Sequence, residues 1–182
     1  MKIESRVVAV SWIPSEAVKG AMKAPFELGI AHYDEPLPDV LGDLEDWRKR
    51  DMFRVANDLR AWIGVDDDGQ ITGCGYSAGG VIGSTTMAMA KASATFEAVA
   101  YPTLQPEPEV GDGWVRFQQT AGGRTGVPTP RRVNRPPFVQ LAAPTAWTTI
   151  ELTLHDDGRN ECRLLGASEF PRHWLYDSSG ML

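Results

Sequence analysis

Apolar and polar residues alternate with a period of two through much of this chain, the spacing that puts successive side chains on opposite faces of a strand. The cleanest run is 148–155, where Ile150, Leu152 and Leu154 take one face and Glu151, Thr153 and His155 the other. That pattern predicts an antiparallel strand buried on one side only. Residues 7–13 (Val-Val-Ala-Val-Ser-Trp-Ile) are apolar on both faces, which predicts a strand covered on two sides and ended by Pro14. Further strands are expected at 26–33, 59–65, 70–76, 84–90, 95–101, 114–120, 138–142, 159–165 and 173–176. The reversals are as informative as the strands. Asp66-Asp67-Asp68-Gly69 and Asp156-Asp157-Gly158 each sit between strand-like runs, and Asp-Gly supplies the positive φ that a tight hairpin demands.

Helical signals are few. Ser15 offers an N-cap for a short helix running to Lys23, with Pro25 as its stop. A second helix is expected from Asp43, where Asp46 completes a short version of the capping box. Glu45 with Lys49 and Asp46 with Arg50 form acid-first i,i+4 pairs, and Leu44 and Trp47 supply the buried face. The fold expected is mainly β: an antiparallel β-barrel or two-layer sandwich with one or two short N-terminal helices, in a single domain over 1–182. The two Asp-Gly hairpins share a preceding tryptophan (Trp62, Trp147) and a cysteine on the return strand (Cys74, Cys162), which raises an internal duplication as one reading. The tail from Tyr176 reads as a turn opening toward a strand, which leaves a chain trimmed from a longer one or a frayed end as alternatives.

Composition supports a packed domain: 182 residues with 42% hydrophobic and 23% charged are enough to bury a core without staples. The 18 glycines and 13 prolines suit many short strands joined by turns. A net charge of −6 opposes a general nucleic-acid binder, because a diffuse negative field repels phosphate backbones. Two separated cysteines make neither a disulfide framework nor a zinc signature; small buried hydrophobes are the expectation for both, with one disulfide between them as the alternative. No signal peptide or run of eighteen apolar residues is visible, so a cytoplasmic address with no membrane contact is expected.

The chemistry-bearing candidates are weak singly. Residues 121–137 read as a long loop in which Gly122, Gly123 and Gly126 let backbone approach a ligand, while Arg124, Arg131, Arg132 and Arg135 supply forked donors. Guanidinium groups in this number suit a carboxylate or phosphate; the alternative is that they pair with the chain's surplus acids on the surface or sit on a loop folded over the barrel edge. The loop lacks the Gly-Lys-Ser/Thr of a P-loop. The glycine-rich stretch from Ser77 lacks a Gly-x-Ser-x-Gly elbow and reads as a bulged β connection. His173 and His32 are the candidate acid–base groups, because imidazole titrates near neutrality. The three histidines lack metal-ligand spacing, so no metal and no cofactor is expected. Six tryptophans exceed what most cores need, and Trp114 is the one assigned to a ligand's apolar body, the others chiefly to packing. The reading is a protein that binds a small, largely apolar molecule bearing an anionic group, with acid–base catalysis as an extension. The alternative is a non-catalytic interaction module or subunit, with a homodimer as one form.

Overall fold

The computed structural model describes residues 1–29, 31–89 and 92–182, with the side chains of 21, 22 and 87–89 set aside. In chain order the strands are β1 (Lys2–Trp12), β2 (Val55–Val65), β3 (Ile71–Tyr76), β4 (Gly80–Ile82), β5 (Thr85–Met89), β6 (Ala92–Phe96) and β7 (Val99–Ala100). They continue as β8 (Glu109–Gly111), β9 (Trp114–Arg124), β10 (Thr129–Arg132), β11 (Val139–Ala142), β12 (Thr145–His155), β13 (Asn160–Ala167) and β14 (Arg172–Tyr176). Two short helices, α1 (Ala24–Glu27) and α2 (Leu44–Lys49), lie between β1 and β2. All pairings between named strands are antiparallel.

Two sheets face each other and neither closes on itself, so the sandwich alternative holds and the barrel does not. One runs β14-β1-β2-β3 with β4 on the far end of β2; the other runs β13-β12-β9-β7 with β8 on the far end of β9. Between them lie Val7, Leu59, Ile63, Phe117, Ile150 and Leu152, all fully buried. Each such side chain contributes roughly 1.5–3 kcal/mol on leaving water. Both cysteines are free and pack against this cluster, half-buried. Val8, Val10 and Trp12 point to the other side of β1, where Leu37, Leu44, Trp47 and Phe53 cover them. β1 is therefore buried on two faces, as its apolar run requires. A polar clamp also crosses the core: Asn57 Nδ2 donates to the Thr148 and Gln119 carbonyls (2.9 and 3.1 Å), and Gln119 Nε2 donates to Asn57 Oδ1 (2.7 Å). All three residues have no solvent exposure, so these bonds avert the penalty of unpaired buried amides.

The hairpins at Gly69 (φ +80°) and Gly158 (φ +88°) form as expected, as does the α2 cap, where Asp46 N donates to Asp43 Oδ1 at 2.7 Å. On α2, Arg50 reaches Asp46 (3.6 Å) as expected, and Glu45 is taken by Arg48 (2.7 Å).

Five expectations need correction. Residues 15–23 form two 3-10 turns, Ser15–Ala17 and Gly20–Lys23, and no side chain caps the first. Residues 26–33 are not a strand in their described part (Ile30 lies outside it): Pro25 sits in the first turn of α1, where its missing N–H costs nothing. Phe26 then stacks on Tyr33 at 4.3 Å, a local collapse that competes with strand pairing. The expected strand 95–101 divides into the end of β6 and the short β7. β12 is not half-exposed, because Arg116, Arg163 and Gln118 lie over Glu151 on its polar face. Residues 121–137 are not one loop: 121–124 complete β9 and 129–132 form β10. Strand 84–90 is found as β5, with Ala90 outside the described residues. The carboxyl tail turns at Gly180, and Met181 bridges to Val40.

Candidate functional site

The arginine-rich segment is the far end of one long β-hairpin. β9 and β12 pair along their whole length up to Arg124 opposite Thr145, and Thr125 N donates to the Pro144 carbonyl (3.0 Å) at the neck. The ladder resumes as β10 and β11, with Arg131 opposite Gln140 and Arg132 opposite Val139. Residues 126–128 stand across from Ala143 alone, two more on this strand than on its partner, which bends the arm, and Thr125 Oγ1 anchors the bend by donating to the Gly83 carbonyl at 2.6 Å. Arg124, Arg131, Arg132, Asn134, Gln140 and Leu141 line one open groove of about 440 Å³ at this bend. Arg135 lines a second recess of about 540 Å³ at the hairpin turn, against Pro136, Pro137 and Val139.

The electrostatics of the groove are one-sided. Nine arginines elsewhere in the chain each reach a carboxylate within 4.0 Å. Among the described residues Arg124, Arg131, Arg132 and Arg135 reach none. The alternative that they neutralise surplus acids of their own chain is not what the structure adopts. Arg124 Nε donates to the Tyr101 hydroxyl at 3.1 Å, and Thr145 and Arg124 together hold the phenol below its ordinary pKa.

The other candidates lie elsewhere. Trp114 opens β9 whereas Arg124 closes it, ten residues apart, or about 34 Å along a strand. The Trp114 ring covers Gly111, where an added Cβ would stand 2.1 Å away, and takes the Arg116 guanidinium at 4.9 Å. His173 is a cross-strand partner of Ser11 in the β14–β1 ladder. Its Nε2 lies 2.9 Å from the Ser168 carbonyl, which must accept, so Nε2 carries the proton and Nδ1 accepts from Ser11 Oγ at 2.8 Å. Burial lowers the His173 pKa, with the Ser168 carbonyl opposing. Both ring nitrogens are thus engaged, and Ser11 is fully buried. His32 is exposed and lines a cavity of about 80 Å³ with Phe26, Asp51, Arg54 and Thr85, and with Gly126 and Val127 of the hairpin bend. Neither histidine lines the arginine groove.

Sequence reasoning missed the charged cluster beside His32. Arg54 (side chain 4% exposed) and Asp34 (1%) form an ion pair through Nη2 and Oδ1, seconded by Nε to Oδ2 at 3.3 Å. Asp34 also accepts from Ile13 N (2.7 Å), while Arg54 Nη1 donates to Asp51 (2.7 Å) and Thr85 Oγ1 (3.0 Å). Burial raises the Asp34 pKa against the pull of Arg54. It also works against the Arg54 cation, and Asp34 and Asp51 more than offset it. Every donor of Arg54 is accounted for, which marks the cluster as a brace joining 31–34 to β2. Its only sequence signal was the acid pair Asp34-Glu35, with nothing to point at Arg54. Among the described residues no group of three or more His, Cys, Asp or Glu side chains is arranged to hold a metal.

No family model matches the chain, and no curated protein or solved structure does either, so its site is read from its own geometry.

Proposed function

We propose that this chain is a binding protein whose working surface is the arginine groove at the bend of the β9–β12 hairpin. It takes a carboxylate or phosphate group there, carried by a small molecule whose apolar part rests on Leu141 and the neighbouring recess. The observation that supports this reading is the segregation of unpaired guanidiniums. In an acidic chain whose other arginines all meet carboxylates, the four that meet none among the described residues share one hairpin. A guanidinium left free is solvated at little cost, and a bidentate anion gains charge-assisted bonds from it, each about 1.5–3 kcal/mol before solvent screening. No helix among the described residues is long and apolar enough to cross a membrane. A cytoplasmic address is kept as part of the proposal, supported by the two free cysteines. Neither His32 nor His173 lines the groove, so the reading assigns no acid–base step to them.

The test is calorimetric titration of the protein with inorganic phosphate and with citrate. The expected result is saturable binding that weakens with added salt and falls about tenfold or more in R131A and R132A, with melting temperature unchanged. Binding indifferent to both substitutions, or no binding at low salt, overturns the reading.

A further inference from the structure

The outer edge of the second sheet is assembled from three pieces laid along β9. Val99 pairs with Arg124, Leu104 bridges Thr120, and Gly111 pairs with Trp114. This edge is polar in the electrical sense. At the Val99 end stand Arg124 and the arginine hairpin, four guanidiniums against the single carboxylate of Glu97 two residues before Val99; at the Gly111 end stand Glu107, Glu109 and Asp112. Glu109 is held by Arg116 at 2.8 Å, whereas Glu107 and Asp112 meet no cation among the described residues. Exposed apolar groups join the two ends: Leu104 and Val110 are each 61% exposed, and the hairpin adds Phe138 (59%) and Leu141 (67%). A two-stranded arm with such a face is marginal in water by itself.

We propose that a second copy of this chain occupies this edge, in a symmetric antiparallel dimer that sets each arginine hairpin on the acidic end of its partner. The inference rests on the groove being an anion site and names the carboxylates that fill it. Leu104 sits opposite the middle of β9, so a two-fold axis there superposes basic end on acidic end twice, about 34 Å of strand being long enough to keep the ends apart. Pro102, Pro106 and Pro108 withhold backbone N–H groups along the edge, so side chains carry the contact and the sheets do not fuse. A sheet edge about 10 Å wide and about 34 Å long supplies roughly 340 Å² a side, below the roughly 800 Å² of a stable complex. The hairpins must add the rest, and the association is reversible and salt-sensitive. Free small anions and the partner's carboxylates compete for the same guanidiniums.

Light scattering across the micromolar range tests this with the full chain and two reversed variants, R131E/R132E and E107K/D112K. The expected result is a low-salt mass approaching twice 19.9 kDa that falls at high salt, with each variant alone monomeric. An equimolar mixture of the two variants restores the dimer, since each acidic hairpin then meets a lysine-bearing edge. That rescue shows both variants are folded. A wild-type monomer throughout, variants as dimeric as wild type, or a mixture that stays monomeric overturns the proposal. A monomer that still titrates with citrate through Arg131 overturns the dimer alone and leaves the anion groove standing.

Discussion

Replacing Arg54 by methionine removes one half of the buried brace and leaves Asp34 with Ile13 N as its remaining hydrogen-bond partner. Breaking a buried pair from one side costs about 3–5 kcal/mol, because a charge is left unpaired where water cannot reach it. For a domain of this length that corresponds to a fall of about 6–20 °C in melting temperature. The deficit depends on pH. Burial already holds the Asp34 pKa above 3.8, and loss of the arginine raises it further. The folded variant therefore binds a proton that the unfolded chain has released, so its stability declines as pH rises from 3.8 through the folded value. The deficit against wild type is largest at neutral pH and smallest below 3.8. Urea denaturation of wild type, R54M and R54M/D34L measures this. The double variant, which removes both charges, is expected to regain most of the loss. A cost in R54M under about 1 kcal/mol, or a double variant no better than the single one, refutes the view that the pair is a desolvated brace.

Two further outcomes follow from the packing and from His173. G122A is expected to destabilise by about 1–3 kcal/mol in thermal melts, because its Cβ would stand 2.3 Å from the Ala146 carbonyl, whereas G166A, with 3.6 Å of clearance from Trp147, is expected to be nearly neutral. Because burial depresses the His173 pKa below 6.5, the unfolded chain takes up a proton first; stability is expected to fall as pH drops from 6.5 through the folded value, and less steeply in H173Q. An unchanged pH profile in H173Q would show that His173 is not held neutral by its surroundings.

The sheets were legible because each central strand has one or two apolar faces and each tight reversal an Asp-Gly pair. β1 could be read as doubly buried from residues 7–13 alone, and Asp43 announced α2. The described residues of 15–29 and 31–42 were not legible, since their shape comes from lying over the outer face of β1 and from the Arg54 brace, contacts with no local period. Residues 121–137 misled because Gly126, Pro128 and Pro130 look like loop punctuation, although they mark a bend within one hairpin and an edge position where proline is tolerated. The arginines were legible as a cluster. That Trp114 and His173 would lie away from them was not, because it depends on which end of a strand each residue occupies.

Whether the hairpin guanidiniums are free to take an anion is reported directly by the Nε–Hε resonances of the arginines. In a proton–nitrogen correlation spectrum titrated with phosphate, Arg124, Arg131 and Arg132 are expected to shift together along one saturable curve. Arg48 and Arg159, already bound to Glu45 and Asp157, serve as internal controls and are expected to stay in place. Equal small shifts at all these arginines would mean diffuse screening and no site, and would contradict the claim.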